Sequence, residues 1–272
     1  MAMQARSIRR FGALLAGAVL ALAAAPSLAA EAWPKTMDDP WPLGLLQPEN
    51  LAKKHPKPAF DMTGTWTLKL QPENGGFNFA PIPKLTPAAQ ALYDQAVKAN
   101  AEGKAFRDDT GMCWPAGMPK WWTRVWPIQV MQYPTGIVMI QGLFNAVRWL
   151  YLDGRGHPGP DILINTFQGD SVARWEGDTL VVDTIGFAGH HHWIIQGVPA
   201  SDQLHIVERI KMAKDKQSFT VELIMTDPVN WEGEWRNTKL FVPVKGNDVF
   251  ESACLPDINE RITAAVGEHQ AQ

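Results

Sequence analysis

From Trp122 onward the chain is written as short strand-like runs separated by tight-turn residues, and that rhythm limits the folds open to it. Strands are expected at about 123–132, 136–141, 146–152, 171–175, 179–186, 204–212, 218–226 and 237–244. Between them PTG (Pro134–Gly136), DGRGHPGP (Asp153–Pro160), EGD (Glu176–Asp178) and KDKQ (Lys214–Gln217) supply the residues that tight turns need. A strand at 65–70, within FDMTGTWTLKL (Phe60–Leu70), brings the number to about nine. Short connections favour antiparallel neighbours, because a parallel pair needs a crossover of a dozen or more residues. A meander of this length tends to close, since closure removes exposed strand edges. The expected fold is therefore mainly β: an antiparallel meander closing into a barrel, with a two-sheet sandwich as the alternative.

One helix is expected outside that meander. Thr86 is placed as an N-cap with Pro87 at the first helical position, and strong helix formers follow until Gly103. Its apolar stripe of Ala91, Tyr93, Ala96, Val97 and Ala101 is weak, which suits a peripheral helix. Residues 30–59 are rich in proline and lysine and read as an irregular leader over the surface. Residues 60–261 are expected to form a single barrel-like domain, and 262–272 a flexible tail.

Residues 1–29 read as a secretory signal. Arg6, Arg9 and Arg10 precede an apolar run from Phe11 to Ala25, and Ser27–Ala29 offers small residues for cleavage. Arg9-Arg10-Phe11 loosely resembles a twin-arginine signal, but its spacing to the phenylalanine differs, so general secretion to the periplasm or the medium is expected. No later segment has the run of apolar residues that a membrane-spanning helix needs. The signal holds three of the 25 basic and none of the 28 acidic residues, leaving a formal charge of −6 that disfavours a nucleic-acid partner. Cys113 and Cys254, in a compartment that permits oxidation, are expected to form one bridge; a reactive or metal-binding thiol is the alternative.

Polar residues inside apolar strands mark the candidate chemistry. Val181, Asp183 and Ile185 share one face of their strand, and Leu204, Ile206, Glu208 and Ile210 share one face of another. A carboxylate buried in such a row must find a donor or accept a raised pKa, the state a general acid or base exploits. A salt bridge to Arg148, Arg174, Arg209 or Arg236 is the structural alternative. His190 and His192 would face the same way in an extended segment, and with a third ligand could hold a divalent metal. Arg155 and His157 lie in the DGRGHPGP loop, where they could meet a polar or anionic group. Asp183, Glu208, His190, His192, Arg155, Arg209 and His157 are thus the candidate catalytic residues. GMCWPAGMPKWWTRVWP (Gly111–Pro127) forms an aromatic segment, and Trp121, Trp122, Trp126, Trp193 and Tyr151 are the candidate ligand contacts. No GxGxxG, Walker loop, GxSxG or CxxCH is present, so no organic cofactor is expected.

Several of these segments together resemble a large set of exported bacterial proteins of mostly unassigned function. They comprise LTP (Leu85–Pro87), CWPAGMP (Cys113–Pro119), YLDGRGHP (Tyr151–Pro158), WEGDTLVVDTIGF (Trp175–Phe187), a loop leading to LHIVER (Gly197–Arg209), and a late cysteine after a glutamate (Glu251–Cys254). The resemblance spans about residues 60–261 and implies export and a single domain. GTW at Gly64–Trp66 is also similar to the opening strand of lipocalin-type (calycin-like) barrels. The expected function is an exported lyase, isomerase or hydrolase that uses acid–base chemistry on a small apolar or aromatic substrate in a barrel cavity. A periplasmic carrier for such a ligand, or a structural envelope domain, is the alternative.

Overall fold

The computed structural model describes residues 33–34, 38, 40–104, 106, 109–246 and 248–254. The expected signal at 1–29 and tail at 262–272 lie outside the described residues, as does part of the leader. The described elements are α1 (Pro48–Leu51), β1 (Gly64–Lys69), α2 (Pro87–Ala101), β2 (Ile128–Tyr133), β3 (Gly136–Gln141), β4 (Val147–Tyr151), β5 (Asp170–Glu176), β6 (Thr179–Ile185), β7 (Trp193–Ile195), β8 (Val198–Pro199), β9 (His205–Met212), β10 (Phe219–Thr226) and β11 (Trp235–Pro243). Nine strands close a barrel in the order β1-β11-β10-β9-β6-β5-β4-β3-β2, and β7 and β8 form a separate hairpin. The arrangement is a mainly-β, closed nine-stranded barrel with one substantial peripheral helix, consistent with the lipocalin-type expectation.

One seam departs from the expected antiparallel meander. β4 and β5 pair in parallel, Leu150 opposite Ser171 and Tyr151 opposite Val172. The connection at 152–169 exceeds the dozen or so residues that a parallel crossover requires, so the chain can return to the same end before starting β5.

The barrel interior is occupied by side chains. Strand alternation turns Phe219, Val221, Leu223 and Met225 of β10 inward, and Phe241 of β11 stacks on Phe219 at 5.0 Å. Trp66 meets Phe219 edge-on at 4.9 Å, and Trp122, from a 3₁₀ turn at Lys120–Thr123, meets Phe241 at 5.1 Å. Burying a ring of this size contributes about 4 kcal/mol at roughly 25 cal/mol per Å². On β11, buried Lys239 donates to the carbonyls of Asn74, Gly76 and Asn78, which holds the 74–80 segment over the core.

α2 begins as its sequence implies, with the Thr86 hydroxyl accepting from the amide of Ala89 and Pro87 in the first turn. Only Ala89 and Ala96 of this helix are buried, so it packs through small residues. Gly197, in the β7–β8 hairpin, makes that approach: at φ +83° its site favours glycine, and an added Cβ would lie 2.7 Å from the Ala96 Cβ. The disulfide joins Cys113 to Cys254 and ties the aromatic segment to the end of the described chain.

Candidate functional site

The pleat separates the two acids that the sequence nominates together. Leu180, Val182 and Thr184 of β6 face the interior, which leaves Asp183 on the outer wall. On β9 the fully buried row contains Ile206, Glu208 and Ile210, so Glu208 points inward and Arg209 outward. Val182 sits opposite Glu208, and Asp183 opposite Val207, so the two carboxylates lie on opposite faces of one sheet. By this register the two acids do not share one interior cavity.

Glu208 is completely buried and completely engaged. Arg148 of β4 grips it with both terminal nitrogens, Nη1 to Oε1 at 2.9 Å and Nη2 to Oε2, and the Trp122 indole also donates to Oε1. Arg148 Nη2 continues to the Ser171 and Thr184 hydroxyls, each at 3.1 Å. A bidentate, hydrogen-bonded pair offsets much of the desolvation of both ions, while the buried Arg148 Nε has no hydrogen-bond partner. This is the Arg148 salt bridge named as the alternative for Glu208.

Asp183 instead collects histidines. His205, at the start of β9, donates from Nε2 to Asp183 Oδ1 at 2.8 Å, and His157, from the 152–169 crossover, reaches the same oxygen from Nε2 at 3.3 Å. The opposite nitrogen of His157 bonds Asp170 Oδ1 at 2.6 Å. Asp170 opens β5 on its outer face, across from Ile185, so three strands and one loop build the cluster.

The electrostatics follow from that order. Burial disfavours a charged His157, but hydrogen bonds to Asp170 and Asp183, reinforced by their charges, overcome it and raise its pKa to about 9. With a carboxylate on each ring nitrogen, His157 is an imidazolium at neutral pH and cannot serve there as a base. Hydrogen bonds from His157 and then His205, against the opposing effect of burial, hold Asp183 far below the usual carboxylate range. His205 is the accessible member, its side chain 42% exposed against 19% for His157. Asp183 engages its Nε2, leaving Nδ1 as the ring atom that faces away from the carboxylate.

The remaining nominated residues lie elsewhere. Arg155 is buried between Asp153 and the leader: its Nε bonds Asp153 Oδ1 at 2.9 Å, its Nη2 donates to the Leu43 carbonyl, and its guanidinium lies 4.2 Å from the Tyr151 ring. It anchors the leader, with Asn50 Nδ2 also on Asp153 at 2.9 Å. Arg209 pairs on the outer wall with Glu176 at 3.0 Å. His192 is buried, its ring nitrogens against the carbonyls of Met118 at 2.6 Å and Ala188 at 3.1 Å; burial lowers its pKa to about 4. Trp121 and Trp122 are core, Trp193 packs edge-on against Phe106, and Trp126 is exposed. His190 is exposed and lines an open cleft of about 450 Å³ with Asn165, Ala188, Gly189, Ser201 and Asp202. Since His192 is tied to carbonyls, His190 and His192 do not form the metal pair considered above. Among the described residues no group of three or more His, Cys, Asp or Glu side chains could hold a metal ion.

Asp170 was absent from the sequence-derived candidates. It lies one position before the expected strand at 171–175, and its role depends on His157 crossing over from the loop. The only local signal is an acid after Gly169 at a strand start. No helix among the described residues is long and apolar enough to cross a membrane. Comparison with protein-family models gives no match, and comparison with curated proteins gives none either.

Proposed function

We propose that the protein is an exported enzyme whose acid–base chemistry takes place on the outer rim of the barrel, with His205 as the proton-transferring group. The observation that carries this reading is the single Asp183 oxygen that receives the Nε2 hydrogens of both His205 and His157. Asp183 orients the His205 ring and stabilises the imidazolium formed when Nδ1 takes a proton from substrate or water. His157 keeps Asp183 ionised, and Asp170 keeps His157 charged, so the support is in place before substrate arrives. Such a dyad serves a lyase, isomerase or hydrolase that needs no organic cofactor. Export is supported by the sequence of residues 1–29 and by the disulfide, which persists in oxidising compartments. The resemblance to exported bacterial proteins belongs to the same reading: YLDGRGHP, WEGDTLVVDTIGF and LHIVER each contribute one member of the cluster.

A second reading, a structural envelope domain, has one observation in its favour: the aromatic interior is packed and Glu208 fully paired. In that case the histidine–aspartate cluster is only a clasp between strands. Turnover of a panel of small aromatic esters, lactones and β-hydroxy carbonyl compounds, followed by NMR, separates the two. The enzyme reading expects a substrate whose turnover falls roughly 10²- to 10⁴-fold in His205→Gln. Turnover that survives this substitution, or none across the panel, favours the clasp.

A further inference from the structure

We infer that the cleft beside His190 is the substrate pocket served by His205, and that it takes a small aromatic ring bearing a hydrogen-bond donor, a phenol or an aromatic amine. This rests on the enzyme reading for its purpose, but the binding can be tested without turnover. The volume of about 450 Å³ falls within the ~300–1,000 Å³ of small-molecule sites. Asp202, in the cleft wall, is three residues from His205 of the dyad, and three residues span at most about 11 Å.

The walls of the cleft are fixed. Ser201 is buried, with its amide and hydroxyl both on the Asp227 carboxylate, at 2.8 and 2.7 Å. Gly189 lies so close to this wall that an added Cβ would be 3.1 Å from the Asp202 amide nitrogen. A rigid scaffold of this kind keeps a binding site preformed.

Beside the cleft stands an aromatic group held in an unfavourable backbone conformation. His191 and Trp114 stack face to face, 4.1 Å apart and 2° from parallel, and His190 meets Trp114 edge-on at 6.3 Å. His191 and Cys113, the residue before Trp114, both have positive φ, 54° and 67°, in the left-handed region that side chains other than glycine seldom adopt. Backbone strain of this kind collects at functional sites. Trp114 is 37% exposed although it is large and apolar. A planar ring can extend this aromatic group, while its O–H or N–H donor meets the Asp202 carboxylate and Asn165 fixes the remaining polar atom. The negative carboxylate selects for a donor and against an anionic ligand.

Catechol is the probe, with cyclohexane-1,2-diol as the non-aromatic control and benzoate as the anionic one, each followed by saturation-transfer NMR and by chemical-shift perturbation. Catechol is expected to bind, the two controls at least tenfold more weakly. Asp202→Asn, at an exposed position, should weaken catechol about tenfold or more without shifting the unfolding midpoint, and Trp114→Ala, which also removes the stack on His191, should weaken it as much while the protein remains folded at the assay temperature. His205→Gln should leave binding within about twofold, so that loss of turnover with retained binding separates failure of the dyad from failure of the pocket. Absence of catechol binding, equal binding of either control, or indifference to both cleft substitutions overturns the proposal.

Discussion

Replacing His157 by glutamine removes the cation from the rim cluster and keeps a side chain of similar reach. The folded pKa of about 9 stands some 2.5 units above the ordinary value of about 6.5, and at about 1.36 kcal/mol per unit the charged ring contributes roughly 3 kcal/mol. The folded pKa is the higher one, so this stability is fully present below about pH 6.5 and is lost as pH rises through about 9. The same interaction depresses Asp183, so the two shifts are one contribution seen from two partners. The assay is urea denaturation of wild type and His157→Gln at several pH values between 6 and 10, with the disulfide intact. Their difference in unfolding free energy should shrink by about 3 kcal/mol between pH 6.5 and pH 10, because other titrating groups largely cancel in the comparison. A pH-independent difference would refute the assignment of His157 as the cluster's imidazolium.

Other perturbations address the core and the turns. Arg148→Met leaves Glu208 buried without its cation and should cost about 3–5 kcal/mol at neutral pH by urea denaturation, whereas removing both partners together should cost less than the sum. Gly117→Ala, at φ +68° with a Cβ that would fall 2.5 Å from His192 Nε2 and 2.8 Å from the Phe167 carbonyl, should destabilise by more than about 1 kcal/mol, read as a lower thermal midpoint. Asp183 is depressed, so its stabilisation is present above about pH 4 and lost as pH falls; Asp183→Asn should flatten the acid limb of the stability curve. Reducing the Cys113–Cys254 bridge, which spans a sequence separation of 141, should lower stability by as much as about 5 kcal/mol on the chain-entropy account.

Where the determinants were local, the sequence was legible. Alternation and turn residues located the nine barrel strands, and Thr86, Pro87 and Gly103 bounded α2 because caps act within a few residues. Period two also paired Val181 with Asp183 and Ile206 with Glu208 correctly, but it could not say which row faced inward. That choice depends on neighbours: Glu208, opposite Val182, faces inward with its carboxylate held by Arg148, a contact between β4 and β9 that no local pattern encodes. His157 and Asp170 meet for a similar reason, through a crossover whose path is set by the parallel seam. Arg155 showed the reverse problem. Its loop position suggested recognition, and only the leader packed over it reveals an anchor.

The β4–β5 seam holds by two residue pairs, fewer than any other junction around the barrel. Beside it, on the outside, the salt-linked histidine of the crossover grips the first residue of β5. Stave and fastener are thus neighbours, and drawing His157 from Asp170 should loosen the wall where it is thinnest. A substitution at His157 or Asp170 should therefore register in the amide exchange of β4 and β5.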